Sequence, residues 1–216
     1  EHPGVSVWKG EGAEVRRVEW PWSGPSFSDL YSESARLIGF GAAFGDQRFE
    51  ALARMMAASP DSALERLFTT DGNRIDAKSR WRERVAELTG GPSSGYLAKA
   101  EIAACLQQQI AGLLVETLVR IKAHTSSDQL CLGGSLFYHS SINTVVRQSG
   151  LFARVFIPVN PGNAGLAVGT AMRLAGLAPS PLSAFMGPSY APDAIKATLD
   201  NCKLRYDWVD EGSVVE

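Results

Sequence analysis

Two glycine turns are the features of this sequence whose residue types and spacing indicate a ligand-binding site. Gly133 and Gly134 follow the apolar residues 130–132, and Gly162 and Gly165 follow a second apolar run; each pair precedes a predicted helix. In open α/β sheets, ligands bind beyond the carboxyl ends of the strands, where helix N-termini offer free N–H groups. Because glycine has no Cβ, a flat or phosphorylated ligand could approach the backbone closely. The pattern favours a nucleotide site, with the alternative that these glycines only make the turns.

Nucleophiles, general bases and metal clusters are not indicated by spacing. Neither turn matches the dinucleotide fingerprint or the phosphate loop that ends in Lys-Ser/Thr. Ser135, Ser140 and Ser141 lack a Gly-x-Ser-x-Gly elbow, and no Cys–His or Ser–His pair follows from the sequence. The catalytic residues are therefore unknown, and the chemistry expected is positioning and charge neutralisation.

The histidines are expected to be surface or hydrogen-bonded residues. His2 lies at the terminus and His124 at a predicted helix end. His139 precedes Asn143 by one helical turn, so it is the histidine that stays a candidate ligand contact.

Composition excludes several classes of protein. The 216 residues are 45% hydrophobic, with 21 basic and 23 acidic residues and a net charge of −2, so no basic surface for nucleic acid is expected. No membrane span and no signal peptide are recognised, and we expect a cytoplasmic protein. Three cysteines, Cys105, Cys131 and Cys202, lie far apart in apolar stretches and are predicted to be reduced, buried thiols.

The elements needed to position the turns follow from hydrophobic periodicity. Alternation predicts a hairpin around Gly10 and Gly12, and helices are predicted from Ser26 to the Gly39 region and over residues 47–58. Residues 60–95 look like a surface insertion with short helical pieces over 64–68 and 81–88. A long helix over 96–123 is expected to be the central packing element.

Beyond that helix, strands and helices alternate, which predicts parallel strands with right-handed crossovers. The strands cover residues 129–132 and 153–159, and the helices cover 137–148 and 164–175. Pro179 and Pro181 mark a linker, followed by a short helix over 193–201. We therefore expect one domain over residues 1–178, with 179–216 as a linker and the start of a downstream domain.

Several stretches resemble motifs of the NodU/CmcH carbamoyltransferase family, over nearly the whole chain. Residues 26–32 (SFSDLYS) and 38–40 (IGF) resemble Ser-Leu-Gly-Leu-Leu-Tyr-Ser and Leu-Gly-Phe, and residues 45–53 (GDQRFEALA) resemble Gly-Glu-x-Lys-Val-Met-Gly-Leu-Ala more loosely. Residues 130–143 resemble Leu-Cys-Leu-Ala-Gly-Gly followed by Ala-Leu-Asn and a second Asn. Residues 162–171 (GNAGLAVGTA) resemble Gly-Asp-Ala-Gly-Gly-Ala-Leu-Gly-Ala-Ala, and 186–190 (MGPSY) resemble the Leu-Gly-Pro-x-Tyr that leads into the family's second domain.

The resemblance implies the second lobe of an RNase H-like, actin-type ATPase domain in an α/β protein. Its mixed sheet would begin with the hairpin and continue with the parallel strands and crossover helices. The implied reaction moves a carbamoyl group from carbamoyl phosphate, through a carbamoyl-adenylate made from ATP, to the hydroxyl of a small-molecule acceptor. The residues expected at the nucleotide are Gly133, Gly134, Ser135, His139, Asn143, Gly162, Asn163 and Gly165.

The sequence departs from the family at the metal site. The family's metal ligand in the Gly-Asp-Ala-Gly turn is replaced by Asn163, whose neutral amide adds no charge, so binding of iron or magnesium there is disfavoured. An Asp-Gly phosphate turn, a first lobe and a downstream domain of the family are not found in the sequence. We expect a fragment, inactive alone and incomplete at both ends, whose exposed sheet edge is covered by those parts or by a second chain.

Two alternatives remain open. A non-catalytic binding or assembly module would keep the fold and lose the metal site, which fits Asn163. A sugar-kinase or acetate-kinase-like lobe would share the glycine turns but not the Leu-Tyr-Ser and Gly-Pro-x-Tyr stretches.

Overall fold

The structure is a computed structural model that describes residues 4–12, 14–59, 64–90, 95–176, 187–207 and 209. The chain forms two compact units, Glu1–Pro179 and Ser180–Glu216. The strands are β1 (Val7–Glu11), β2 (Glu14–Val18), β3 (Phe68–Thr70), β4 (Ile75–Ala77), β5 (Gln129–Cys131) and β6 (Arg154–Phe156). The helices are α1 (Phe27–Ile38), α2 (Gly45–Ala53), α3 (Trp81–Gly90), α4 (Tyr96–Thr125), α5 (Ser140–Gln148), α6 (Gly165–Leu174) and α7 (Pro192–Asn201).

Helix α1 begins and ends where its capping residues require. The Ser26 hydroxyl accepts a hydrogen bond from the Asp29 N–H, and the Asp29 carboxylate accepts one from the Ser26 N–H, each at 3.0 Å. These two bonds form a capping box. Gly39 ends the helix at φ 112°, a left-handed conformation that favours glycine. The predicted bounds of this helix are confirmed.

Helix α4 is the centre of the first unit, as predicted. It runs for 30 residues, and buried side chains lie along most of its length, with α1, α2, α3 and α5 packed around it. An 18-residue window of α4, with mean hydropathy 1.4, is apolar enough to cross a membrane by length and composition, which the sequence analysis did not expect. However, 61% of that window is buried inside the protein, and the core helix of a globular unit meets the same criterion.

The strands form three separate two-stranded sheets among the described residues, where we expected the hairpin and the later strands in one mixed sheet. Strands β1 and β2 pair antiparallel as predicted, from Val7 opposite Val18 to Glu11 opposite Glu14. Within these two strands only Val7 is buried. The hairpin therefore offers too little apolar surface to pack as part of a central sheet.

Residues 64–90 correct the expectation of a surface insertion. Strands β3 and β4 form an antiparallel pair, and Leu67, Phe68, Ile75 and Val85 from this segment are each at most 2% exposed. The Phe68 and Trp81 rings pack edge to face with centroids 5.0 Å apart. Because these apolar side chains cover α4, the segment is part of the core. Helix α3 confirms the second predicted helical piece, while residues 64–67 are not helical.

Two further expectations need correction. Helix α2 ends at Ala53 rather than near Ala58, and beyond it Met55 and Met56 are exposed, so the apolar face does not continue. Cys105 is buried, but Cys131 and Cys202 are exposed; all three are free. Cys131 occupies an outward-facing position of β5, and Cys202 follows α7.

The second unit contains α7, which confirms the predicted helix near its Pro-Asp start. None of its described residues is buried. The predicted linker prolines, Pro179 and Pro181, lie outside the described residues.

The capping box of α1 gives a stability prediction. Replacing Ser26 by Ala removes the hydroxyl acceptor of the Asp29 N–H, so we expect the free energy of unfolding to fall by about 1 kcal/mol in urea denaturation. Ser28→Ala, two residues inside the same helix, leaves both cap bonds in place and is the matched control. Equal losses for the two variants would contradict the assignment of Ser26 as the cap.

Candidate functional site

The two glycine turns lie side by side at one edge of the parallel pair β5–β6. Cys131 is in register with Phe156, and the Leu132 N–H donates to the Phe156 carbonyl at 3.0 Å. One step further, the Gly134 N–H donates to the Pro161 carbonyl at 2.7 Å, which joins the two turns directly. The predicted parallel pairing therefore brings both turns to the carboxyl ends of the strands.

The first turn presents bare, open backbone. Gly134 has φ 123° and ψ 158°, a conformation that is essentially restricted to glycine. A Cβ built on Gly134 would meet no atom within 4 Å, and one on Gly133 would meet only the Pro161 carbonyl oxygen at 3.9 Å. The space next to the Cα atoms of this turn is open, so a ligand could approach the backbone there. The Gly134 N–H, however, is already engaged with Pro161 and is not free to bind a ligand.

The glycines of the second turn are required by contacts within the chain. A Cβ on Gly165 would collide with the Asn160 carbonyl, and one on Gly162 would lie 2.7 Å from the Tyr138 ring. The Tyr138 hydroxyl also donates to the Asn160 side-chain oxygen. Asn163 is exposed. At Gly162 and Gly165 the alternative that glycine serves the turn itself is thus supported by the packing.

His139 is buried, with 3% of its surface exposed. Its ring stacks on the Tyr31 ring, with centroids 4.2 Å apart and planes inclined by 25°, and its Nδ1 lies 3.2 Å from the Glu50 carboxylate. The structure therefore supports the prediction that His139 is a hydrogen-bonded residue, which was the alternative to a ligand contact.

Glu50, on α2, supplies the N-terminal cap that α5 lacks in its own sequence. The residue before α5, His139, makes no side-chain cap bond. One oxygen of the Glu50 carboxylate instead accepts bonds from the Ser141 N–H at 2.9 Å and from the Ser140 and Ser141 hydroxyls at 3.0 Å. A carboxylate is stabilised at a helix N-terminus, where N–H groups are unpaired and the helix dipole is positive.

The surroundings of Glu50 keep it ionised. Burial raises its pKa, but hydrogen bonds from His139, from the Ser141 N–H and from the Ser140 and Ser141 hydroxyls outweigh burial and lower the pKa to about 2. Its side chain is only 12% exposed. Sequence reasoning missed Glu50 because no spacing rule connects it to His139, which lies 89 positions away.

Tyr31 ties the same cluster to the core. Its hydroxyl donates to the Gln107 side-chain oxygen on α4 at 2.8 Å, and its ring meets Phe49 edge to face with centroids 4.9 Å apart. Burial, together with the nearby carboxylates of Glu50 and Asp46, raises the pKa of the Tyr31 hydroxyl far above its usual value. Tyr31 is therefore a neutral hydrogen-bond donor at all physiological pH values.

The remaining predicted residues flank the first turn. Ser135 is exposed and begins a short 3-10 helix, Ser135–Tyr138. The Asn143 side-chain amide donates to the Phe137 carbonyl at 2.9 Å. Its oxygen is buried and has no hydrogen-bond partner among the described residues. Because this oxygen is closed off from solvent, it is not an open contact for a ligand.

A cleft of about 760 Å³ lies elsewhere, between α1, the start of α2 and the start of α3. Its charged lining includes Glu33, which pairs with Arg36 at 2.7 Å and Arg82 at 2.8 Å. None of the predicted site residues lines it. Because these charges already satisfy one another, the cleft does not single out a ligand.

The donors present do not fit a metal ion. Within the described part of the chain, no group of three or more His, Cys, Asp or Glu side chains could hold one. Asn163, the position predicted from the resemblance, offers one neutral amide oxygen, which is a weak ligand by itself. No chemical step is therefore assigned to a metal here.

Comparison with known proteins identifies the family. The family model described as "Carbamoyltransferase N-terminus" matches residues 5–172, which include both glycine turns, Glu50 and α4. The chain belongs to this carbamoyltransferase family, and its function is in carbamoyl transfer. No curated protein matches the chain.

The lowered pKa of Glu50 predicts a pH-dependent contribution to stability. A pKa that falls from 4.5 to about 2 on folding stabilises the protein fully above pH 4.5, and that stabilisation is lost as the pH falls towards 2. The gap in unfolding free energy between wild type and Glu50→Gln should therefore shrink by roughly 2 kcal/mol between pH 6 and pH 3. Urea denaturation at each pH measures it. A gap that stays constant over this range would show that Glu50 is not held ionised by these bonds.

Proposed function

We propose that this carbamoyltransferase chain forms the nucleotide-binding lobe of an ATP-dependent O-carbamoyltransferase of the NodU/CmcH type, with an RNase H-like, actin-type fold. The observation that carries the proposal is the direct junction of the two glycine turns at the carboxyl ends of parallel strands, inside the region that matches the family. This is where α/β folds bind nucleotides.

The adenosine of ATP would lie against the first turn. Gly133 and Gly134 leave room for a flat ring, and Ser135 is exposed beside them with its hydroxyl. Asn143 would support this turn through its side-chain bond to the Phe137 carbonyl. Because His139 is buried, we expect it to support this turn and not to contact the ligand.

The phosphates would lie towards the start of α6, where the helix dipole favours an anion. The first two N–H groups of this helix, those of Gly165 and Leu166, already donate to the Gly162 and Asn163 carbonyls. The side chain at the turn is the neutral Asn163. An aspartate without a metal would repel the phosphates, whereas asparagine does not. The residues present therefore suit phosphate binding that does not pass through a metal at this position.

In the proposed reaction, water would release phosphate from carbamoyl phosphate to leave carbamate, and carbamate would attack the α-phosphorus of ATP to give carbamoyl-adenylate and pyrophosphate. The acceptor hydroxyl would then take the carbamoyl group, lose its proton and release AMP. In this proposal the chain contributes orientation, because the sequence contains no recognised nucleophile or general-base motif. Holding reactants in a productive geometry is itself a large part of catalysis.

A second candidate function is favoured by the second turn. Tyr138 covers Gly162, and the Gly134 N–H is already bonded to Pro161, so part of the surface proposed for the nucleotide is filled by the chain itself. A non-catalytic binding or assembly module that keeps the fold would look the same. The two functions differ in ATP binding, which is expected for the nucleotide-binding lobe and not for the module.

The test is calorimetric titration of ATP into the wild-type chain and into Gly133→Val. Gly133 has an ordinary backbone conformation and open space at its Cβ, so valine should fold normally and weaken ATP binding at least about tenfold by blocking the ring. Gly90→Val, at a position where a Cβ meets nothing within 4 Å, is the matched control and should bind as wild type does.

Stable folding of the wild type without ATP binding would overturn the nucleotide proposal and favour the module. Equal affinities for wild type and Gly133→Val would show that ATP binds away from the first turn.

A further inference from the structure

We propose that Glu50 is a positioning residue for the first glycine turn, acting from α2 through the start of α5. The nucleotide part of this inference rests on the proposed function. The positioning part depends only on the contacts described above.

Glu50 is a fixed anchor. It lies on α2 between Phe49 and Leu52, which are at most 2% exposed and pack into the core. One carboxylate oxygen bonds to Nδ1 of His139, the residue before α5. The other accepts bonds from the Ser141 N–H and from the Ser140 and Ser141 hydroxyls at the start of α5. These bonds fix the position of the start of α5 relative to the core, in addition to its covalent connection to the preceding residues.

A continuous run of backbone bonds leads from this anchor back to the turn. The Asn143 N–H donates to the His139 carbonyl at 3.2 Å, the His139 N–H donates to the Leu136 carbonyl at 3.1 Å, and the Phe137 N–H donates to the Gly134 carbonyl at 3.1 Å. Leu136 is buried, which holds this one-turn helix against the core. In this proposal, movement of residues 139–141 is transmitted to Gly134 through these bonds.

The first turn depends on contacts from elsewhere in the chain, because its own two glycines make few contacts that would fix their conformation. A Cβ built on Gly133 or Gly134 would have no other atom within 3.8 Å, so neither position is restrained by packing. Glycine also has the largest conformational freedom of any residue. The bond from Gly134 to Pro161 fixes one side of the turn. Glu50 fixes the other side, through His139 and the short 3-10 helix.

Hydrogen exchange of backbone amides tests the positioning in Glu50→Gln, which removes the charge and keeps the volume. The peptide covering residues 132–142 should exchange about tenfold faster than in wild type, while peptides from α1 and α4 keep their protection. Glu33→Gln is the matched control, because Glu33 also has several charged bonds and a pKa lowered to about 2 but contacts Arg36 and Arg82 instead of α5. It should leave residues 132–142 unchanged.

Ser141→Ala keeps the experiment decisive if Glu50→Gln does not fold. It removes one of the hydroxyl bonds to Glu50 and retains the Ser141 N–H bond, so exchange of residues 132–142 should rise by a smaller factor, about twofold to fivefold. Unchanged exchange in both variants, or an equal increase in Glu33→Gln, would overturn the positioning role.

Calorimetric titration with ATP then connects the turn to its ligand. Glu50→Gln should bind ATP about tenfold more weakly than wild type, with Glu33→Gln unchanged. If wild type binds no ATP, the proposed function fails while the exchange result still decides the positioning role. Faster exchange with unchanged ATP affinity would overturn the claim that this position matters for the nucleotide.

Discussion

A single ionised carboxylate, shielded from water, joins the helical core to the only parallel strands among the described residues. Glu50 accepts bonds from the start of α5 and from His139, whose ring rests on Tyr31, which in turn donates to Gln107 on α4. Desolvation of such a group is costly, and it is tolerated because each oxygen is used. The glycine turn that follows β5 therefore has a defined place relative to α2 and α4, although its own residues are too flexible to specify one.

The same arrangement separates the roles of the four glycines. Gly162 and Gly165 allow the chain to pass Tyr138 and the Asn160 carbonyl, whereas Gly133 and Gly134 leave open space. Membership in the carbamoyltransferase family gives this open turn a chemical context. The proposed lobe would then hold ATP mainly by shape and by helix dipoles, without a charged side chain or metal at Asn163. Its contribution to carbamoyl transfer would be orientation.

Local signals in the sequence predicted most of the elements. The Ser26 and Asp29 box and Gly39 define α1 because capping depends on neighbouring residues, and the parallel pairing of β5 and β6 follows from strand and helix alternation. Long-range burial was not predictable in this way. Residues 64–90 look polar, yet Phe68 and Ile75 enter the core. Glu50 lies on α2 and His139 precedes α5, and no periodicity relates the two positions. The residue predicted as a candidate ligand contact is therefore a buried, hydrogen-bonded support.

The central claim, that the first glycine turn is a nucleotide-binding surface, is tested most directly by amide chemical-shift mapping of the wild-type chain with ATP. We expect the largest shifts on residues 133–135 and 162–165, with smaller shifts on residues 139–143 through the Glu50 cap. Shifts confined to the cleft around Glu33 and Arg82, or no shifts at ATP concentrations in the millimolar range, would contradict it.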